Sequence, residues 1–370
     1  MPRELVAVAP RTPVLREYDD PPLGPIQIRV ATSFASPKHG TELVGYRDDP
    51  VARRPYDPAW GAAMSLPEGQ GATFPRRLGN MAAGVVAEVG SDVSRFRPGD
   101  RVFGHFPIRE TQTVDQTGAD PLPEGLSPEV AVCLDPAVMA FPLRDARIGL
   151  GDRVAVFGLG AIGLMAVQLA RLAGAETVIA LDPIPARRAL ALAYGADHAL
   201  DHLAGDADAG LAIRRLTGDP GDPASRPARR VGGGYREIAS QVGELGVDVA
   251  VEVSGNPRAL HQAIRATRFG GVVCLLSFYG SDAAGLLLGE EFHINRLTLI
   301  SARAESLPMR DAPGWTLDRM ARLCLDWLTS GRLRADGIVT PVVPFDDSPD
   351  AYREIDEHPE RSIKLGIAFP

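Results

Sequence analysis

The chain has 370 residues, of which 45% are hydrophobic and 23% charged, so it is long enough for two globular domains with sizeable cores. Its formal net charge of -8 gives no electrostatic footprint for nucleic acid or an anionic membrane surface, and no apolar run approaches the roughly 18 residues of a membrane span. The amino terminus lacks the apolar core of a signal peptide and the three cysteines are far apart, so we expect a cytoplasmic protein without a disulfide framework.

The first third of the chain has the pattern of a β-rich domain. Residues 1–35 alternate apolar and polar positions, and strand patterns return at residues 78–90 and 101–104. Residues 46–77 are rich in Pro, Arg and Gly, which predicts a long loop. A polar segment, residues 36–42, lies between a strand and a short helical pattern, which is where binding residues usually occur.

The middle of the chain, residues 145–300, alternates strands and helices and therefore predicts a parallel sheet. Strands are expected at residues 154–157, 177–181, 247–253 and 271–277, with a helix at 257–267. The Gly- and Pro-rich segment 217–234 predicts an exposed insertion. A helix at 317–328 and short strands at 338–343 and 362–368 complete the chain.

A glycine-rich turn follows the first strand of this middle region. Gly158, Gly160 and Gly163 form the pattern G-x-G-x-x-G between a buried strand and an apolar helix. The first glycine permits a tight turn, the second lets the backbone approach a pyrophosphate, and the third packs the helix on the strand. Because the helix amino terminus attracts anions, the sequence predicts a dinucleotide site.

Asp182 ends the second strand of the region, 19 residues beyond Gly163, where a ribose 2′-hydroxyl would bind. A carboxylate there accepts hydrogen bonds from the diol of NAD and repels the 2′-phosphate of NADP, so the sequence favours NAD. One alternative is that Asp182 is only a turn acid before Pro183. The neighbouring Arg187 and Arg188 keep NADP open as the less favoured cofactor.

The ordered set of motifs resembles the medium-chain dehydrogenases, the group of zinc alcohol and polyol dehydrogenases, over nearly the whole chain. The resemblance implies an α/β protein with a GroES-like, β-rich catalytic domain at residues 1–145 and 301–370. Residues 146–300 would form a Rossmann domain with a doubly wound parallel sheet. Dimers or tetramers are expected. The motifs are His39-Gly40-Thr41-Glu42, Gly79-x-x-x-x-Gly84-x-Val86-x-x-Val89-Gly90, Pro98-Gly99-Asp100-Arg101-Val102, the glycine turn with Asp182, and Ser362-Ile363-Lys364.

The zinc ligands of this family are replaced in the present chain. Metal-dependent members carry Cys, His and Glu where this chain has His39, Asn80 and Met81, and no four-cysteine lobe is present. Asparagine and methionine are poor ligands for zinc, so we expect no metal and a resemblance to the zinc-free branch that includes the bacteriochlorophyllide dehydrogenase type. A degenerate site of His39 with Cys133 or Asp135 stays open.

Without a metal, general acid-base groups must handle the proton of the substrate hydroxyl. We predict that His39 takes this proton, and that Lys38 donates a hydrogen bond to the developing alkoxide. By resemblance, Thr41 would relay the proton and Asp135 would face the substrate or a catalytic water. Lys38 is one of only two lysines among the 39 basic residues. The alternative is that Lys38 and His39 only shape a loop.

The other lysine, Lys364, matches a family residue that contacts the cofactor pyrophosphate, although it could instead be a solvated lysine at a strand end. Arg187 matches the residue beside the adenine, and Ile162 should back the nicotinamide. Other expected contacts follow strand ends, where ligands bind in such folds. The expected cofactor residues are Gly158, Gly160, Ala161, Ile162, Gly163, Asp182, Arg187, Ser254, Ser277, Phe278 and Lys364.

Together these features predict an NAD-dependent, zinc-independent oxidoreductase that acts on a secondary alcohol or its ketone. The polar set of His39, Asp135 and His105 favours a polyhydroxylated substrate such as a sugar or cyclitol. One alternative is a zinc-free double-bond or quinone reductase, but that branch usually prefers NADPH and Asp182 counts against it. Another is a sensor that binds NAD without turnover.

Overall fold

The computed structural model describes residues 1–54, 56–64, 73–201, 208–218, 245–280, 282–302, 307–311 and 313–370. The chain forms two compact units. The split unit combines Met1–Asp135 with Leu325–Pro370, and the central unit is Pro136–Cys324. Residues 136–145 and 301–324 belong to the central unit in this division, whereas the sequence prediction put the boundaries at 145/146 and 300/301. Most of the predicted insertion at 217–234 lies outside the described residues.

The strands of the described part of the chain are numbered in chain order. They are β1 (Arg3–Ala9), β2 (Thr12–Glu17), β3 (Gln27–Ser36), β4 (Tyr56–Asp57), β5 (Ala62–Ala63), β6 (Arg76–Arg77), β7 (Met81–Val89), β8 (Arg101–Gly104), β9 (Thr111–Asp115), β10 (Asp120–Pro121), β11 (Arg153–Phe157), β12 (Thr177–Leu181), β13 (His198–Leu200), β14 (Val247–Glu252), β15 (Thr267–Leu275), β16 (Thr298–Ser301), β17 (Val339–Pro344) and β18 (Lys364–Ala368).

The α-helices of the same residues are numbered likewise. They are α1 (His39–Arg47), α2 (Pro128–Ala131), α3 (Leu134–Ala140), α4 (Ala161–Ala173), α5 (Pro185–Ala193), α6 (Ala209–Leu216), α7 (Pro257–Ala266), α8 (Leu317–Thr329) and α9 (Ser348–Glu357). Short 3₁₀ segments lie at Pro50–Arg53, Gln116–Gly118, Phe141–Ala146, Met309–Asp311, Phe345–Asp347 and Pro359–Arg361, and a π-helical turn at Leu288–Phe292. None of the helices described has the length and apolar character that crossing a bilayer requires.

The split unit is built on a mostly antiparallel sheet in the order β10-β8-β7-β3-β18-β17, with β9 also paired to β3. Buried and exposed residues alternate along the first half of β3, as expected for a strand with one face on the core. The carboxyl-terminal strand β18 pairs with the end of β3 through Ile367 and Ala35. The two ends of the chain therefore share one sheet and one core, which includes Ile28, Val30, Val86, Leu365 and Ile367.

The central unit contains a six-stranded sheet in the order β13-β12-β11-β14-β15-β16, with all neighbouring strands parallel. This is the strand order of a doubly wound dinucleotide-binding fold, so the predicted fold class is confirmed. In β11 and in β12, every residue after the first is buried, as in a parallel sheet that is covered on both faces. Helix α4 follows β11 directly and ends at Gly174, whose φ of 109° gives a left-handed cap.

The segment 46–77, expected to be a long loop, contains more regular structure than its composition suggests. Helix α1 extends to Arg47, and Tyr56 pairs with Ala63 in the short β4–β5 hairpin. Arg76 and Arg77 form β6, which pairs with β1. Residues 55 and 65–72 lie outside the described residues.

Candidate active site

Each of the three glycines in the turn of the central unit has different surroundings. Gly158 has a φ of +92°, and a Cβ there would lie 2.8 Å from the backbone nitrogen of Ser254. A Cβ on Gly163 would lie 1.9 Å from the carbonyl oxygen of Gly158, so helix and strand approach closely. A Cβ on Gly160 would meet no described protein atom within 4 Å. Packing therefore requires two glycines, whereas Gly160 leaves room for a pyrophosphate at the amino terminus of α4.

Asp182, directly after β12, is buried, and its carboxylate connects the glycine turn to the loop that follows β12 through hydrogen bonds. Its carboxylate accepts the N–H of Leu159 at 2.8 Å and the N–H of Ile184 at 2.9 Å. An Arg187 nitrogen lies 3.7 Å from the same carboxylate. Asp182 thus has the turn role that the sequence left open, and its contact with a ribose hydroxyl stays a prediction.

A second polar cluster of the central unit lies at the carboxyl ends of β14 and β15. Ser254 and Ser277, both expected to contact the cofactor, donate their hydroxyls to the buried Glu252. Tyr279 donates to the same carboxylate, while Phe278 is 54% exposed. Sequence reasoning missed Glu252 and Tyr279. An acidic residue at the end of an otherwise apolar strand was the signal that could have found Glu252.

In the split unit, the central contact is an ion pair between Lys38 and Asp135. The Lys38 Nζ lies 3.2 Å from Asp135 Oδ1. The Asp135 side chain is 3% exposed and that of Lys38 is 16% exposed, so the ammonium connects a buried carboxylate to the surface. Asp135 lies in the first turn of α3, 97 residues from its partner in sequence. Both predicted residues are therefore brought together.

Lys364, the other lysine, is buried beneath the same loop. The pairing of β18 with β3 places it there, and its Nζ donates to the carbonyl oxygen of Pro37 at 3.0 Å. Burial lowers the pKa of Lys364, and the charges of Asp135 and Glu42 oppose that effect. The alternative of a solvated lysine is wrong. Its predicted contact with a pyrophosphate stays a prediction.

His39 begins α1 and is held by the carboxyl-terminal strand. Its Nε2 accepts the backbone N–H of Leu365 at 3.0 Å, so the neutral ring carries its proton on Nδ1. A ring that also took a proton on Nε2 would lose this hydrogen bond. The contact therefore disfavours His39 as the group that takes a substrate proton.

The loop that carries these residues is fixed by Glu42. Its carboxylate accepts the N–H of Lys38 at 3.0 Å, the N–H of Gly79 at 2.7 Å and the hydroxyl of Tyr352 at 2.7 Å. Thr41 is exposed on α1, and its role as a proton relay stays a prediction. The loop is therefore rigid at its base, while its outer surface is open.

The residues at the family's zinc-ligand positions do not fit a zinc ion. Cys133 is fully buried, and its thiol donates to the backbone carbonyl oxygen of Glu129. Asp135 is paired with Lys38, and His39 Nε2 already accepts a backbone N–H. Met81 is a poor ligand. In the part of the chain that the structure describes, no group of three or more His, Cys, Asp or Glu side chains is arranged to hold a metal.

Comparisons with known proteins agree with these two units. The family model described as alcohol dehydrogenase GroES-like domain matches residues 58–134, and the model described as zinc-binding dehydrogenase matches residues 161–311. The chain is 36% identical to the D-guloside 3-dehydrogenase of Escherichia coli strain K12 over 376 aligned positions, which cover 99% of this chain and 100% of that protein.

Solved structures share the fold. The 2R,3R-butanediol dehydrogenase of Bacillus subtilis matches with a TM-score of 0.69 at 22% identity, over 100% of this chain and 99% of that one. A putative zinc-binding dehydrogenase from Sinorhizobium meliloti 1021 bound to NADP also matches with a TM-score of 0.69, at 21% identity and over the same shares of the two chains. At these identities the likeness shows the fold alone.

The glycine turn yields a paired prediction. We expect Gly163→Ala to destabilise the protein by about 1–3 kcal/mol, because its Cβ would overlap a backbone oxygen. We expect Gly160→Ala to cost less than about 1 kcal/mol but to raise the dinucleotide Kd about tenfold or more. Urea unfolding and calorimetric titration measure the two effects. Equal dinucleotide affinity of Gly160→Ala and the unmodified chain would contradict the assignment of the turn.

The burial of Lys364 yields a second prediction. Lys364→Arg should destabilise the protein by about 1–3 kcal/mol, because a guanidinium is larger than the ammonium that the site encloses. The matched control is Arg97→Lys, since Arg97 has a side chain that is 87% exposed. Its stability should change by no more than about 0.5 kcal/mol. Urea unfolding of both variants measures the difference, and a Lys364→Arg variant as stable as the control would show that size is not what selects lysine.

Proposed function

Because the chain belongs to the zinc-type medium-chain dehydrogenase/reductase superfamily, we propose that it oxidises a secondary hydroxyl of a polyhydroxylated substrate with NAD and without a catalytic zinc. Alcohol-dehydrogenase-like oxidoreduction is the activity of its named relatives. The observation that carries the finer proposal is the Lys38–Asp135 pair, an ammonium held on a buried carboxylate among residues that do not fit a metal. A bound dinucleotide supplies the hydride acceptor.

The Lys38–Asp135 pair can handle the proton that an alcohol releases on oxidation. In oxidation, the Lys38 ammonium first releases a proton to solvent; the neutral amine then takes the hydroxyl proton, and the restored ammonium donates to Asp135 again. In the reverse direction, the ammonium stabilises negative charge on the ketone oxygen and then gives the proton back. Lysine suits this work because it is a compact donor that can change its protonation state, whereas arginine stays charged.

His39 complements this pair because its ring is held in one orientation by a backbone hydrogen bond. With Nε2 held by Leu365, the proton on Nδ1 makes the ring a hydrogen-bond donor. We assign His39 to binding a substrate oxygen and Lys38 to moving the proton. This division changes the roles that the sequence suggested, because the backbone contact of His39 was not visible in the sequence.

A polyhydroxylated substrate is favoured by the relatives and by the polar character of the loop. The full-length relative is named for the oxidation of a D-guloside at position 3, and another is a sorbitol dehydrogenase. Lys38, His39 and the buried Asp135 form a polar set that suits hydroxyl groups rather than an apolar chain. NAD is favoured by the carboxylate of Asp182, which would repel a 2′-phosphate.

The first test of the proposal removes the ammonium. Lys38→Met should lower kcat for NAD-linked oxidation of a sugar, glycoside or cyclitol by roughly 10²- to 10⁴-fold, the usual contribution of a general base. The NAD Kd should not change, because the variant leaves the glycine turn intact. The matched control is Arg97→Met, which removes an exposed cation.

Rates are measured on a substrate panel with calorimetric NAD binding in parallel. Full activity of Lys38→Met would contradict the mechanism. Tight NAD binding by the unmodified chain without turnover of any substrate would instead favour the sensor.

The second test concerns the cofactor. Asp182→Asn keeps an acceptor for one of the two backbone N–H groups and removes the charge, so the ratio of kcat/KM for NADP to that for NAD should rise roughly tenfold. The matched control is Asp197→Asn. The Asp197 carboxylate also accepts a backbone N–H, that of Val178, but at the amino end of the same sheet. Steady-state kinetics with both cofactors measures the ratio. A preference for NADP in the unmodified chain would contradict the choice of NAD.

A further inference from the structure

Glu252, the last residue of β14, is a fully buried acid at the carboxyl edge of the parallel sheet. Its relative exposure is 0%. The carboxylate accepts the backbone N–H of Ser254 at 2.8 Å and that of Gly255 at 3.3 Å, together with the hydroxyls of Ser254, Ser277 and Tyr279. These donors are all neutral. Burying a carboxylate is costly unless hydrogen bonds replace its water, and five donors meet that requirement here.

The network is adjacent to the glycine turn within the central unit. A Cβ on Gly158 would lie 2.8 Å from both the nitrogen and the Cβ of Ser254, so the first glycine packs against the network. A Cβ on Gly255 would lie 2.6 Å from the carbonyl oxygen of Phe278. The loops after β11, β14 and β15 therefore meet at the carboxyl edge of the sheet, where ligands bind in doubly wound folds.

A carboxylate accepts hydrogen bonds and donates none, so it determines the direction of every hydroxyl bound to it. The protons of Ser277 and Tyr279 point towards Glu252, and their oxygens present lone pairs elsewhere. Burial and the neighbouring Glu252 charge raise the pKa of Tyr279 well above its ordinary value, so that the phenol keeps its proton. Ser254 differs, because its oxygen also accepts the N–H of Asn256 at 3.1 Å.

We propose that Glu252 is a positioning residue that orients the hydroxyls of Ser277 and Tyr279 as acceptors for hydrogen-bond donors of the bound dinucleotide. The inference rests on the dinucleotide dependence in the proposed function. Three parts of the dinucleotide carry such donors: the ribose hydroxyls, the NH₂ of the nicotinamide carboxamide and the amino group of adenine. All three present the same chemistry to Ser277 and Tyr279, and the experiment separates the carboxamide from the other two.

The experiment measures NAD binding by calorimetry on the full chain without substrate, with thermal unfolding in parallel. Ser277→Ala and Tyr279→Phe should each raise the NAD Kd about fivefold to tenfold, the effect of losing one hydrogen bond. Glu252→Ala should raise the Kd at least as much, because the hydroxyls of Ser277 and Tyr279 then lose the acceptor that fixes their direction.

The matched control is Thr267→Val, which removes a buried hydroxyl of the same unit that donates to the carbonyl of Ala263. This variant should lower the Tm and leave the NAD Kd unchanged. A purely structural Glu252 network would behave in the same way. The separation of Kd from Tm therefore distinguishes a positioning role from a structural one.

The 3-acetylpyridine analogue of NAD, which has a methyl group in place of the NH₂, identifies the donor. If Ser277→Ala weakens the binding of NAD but not of the analogue, the carboxamide is the donor. If the loss of affinity is equal for both dinucleotides, the donors are ribose hydroxyls or the adenine amino group. Either result supports the inference.

Folded variants of Glu252, Ser277 and Tyr279 that all bind NAD and the analogue like the unmodified chain would overturn it and leave the proposed function standing. An unmodified chain that binds neither NAD nor NADP would overturn both.

Discussion

The hydrogen bond between the Lys38 ammonium and the buried Asp135 carboxylate is the interaction on which the site of the split unit depends. A carboxylate with 3% of its side chain exposed needs hydrogen-bond donors in place of water, and Lys38 supplies a positively charged one from the neighbouring loop. Because that partner is an ammonium, the Asp135 carboxylate is already engaged by a cation. The same pair gives the loop a group that can exchange a proton with a substrate hydroxyl.

The sheet of the split unit makes this pairing possible. Strand β18 from the carboxyl terminus joins β3 from the amino terminus, and this places Lys364 and Leu365 directly beneath the loop. Lys364 bonds to Pro37, and Leu365 fixes the ring of His39. Arginine accounts for all but two of the 39 basic residues, and both lysines lie at this one loop. Lys364 is 3% exposed, so its site encloses a compact ammonium, whereas Lys38 is partly exposed.

The sequence predicted the central unit in more detail than the site of the split unit. Three glycines at fixed spacing between a strand and a helix specify one backbone path, so the turn around Gly158, Gly160 and Gly163 followed from local rules. The contact of Lys38 with Asp135 joins residues 97 positions apart and depends on tertiary packing that no local rule supplies. For the same reason, the sequence did not reveal the backbone contact of His39 or the burial of Lys364. Glu252 was missed because its donors come from two loops.

The measurement that tests the central claim most directly is the metal content of the purified protein, compared with its NAD-linked oxidation of a polyol before and after treatment with a chelator. The account predicts no stoichiometric zinc and unchanged turnover after chelation, because Lys38 and Asp135 do the work of the metal. Stoichiometric zinc, with turnover that is lost on chelation and restored by added zinc, would contradict it. Asp135, Cys133 and His39 would then have to rearrange around the metal.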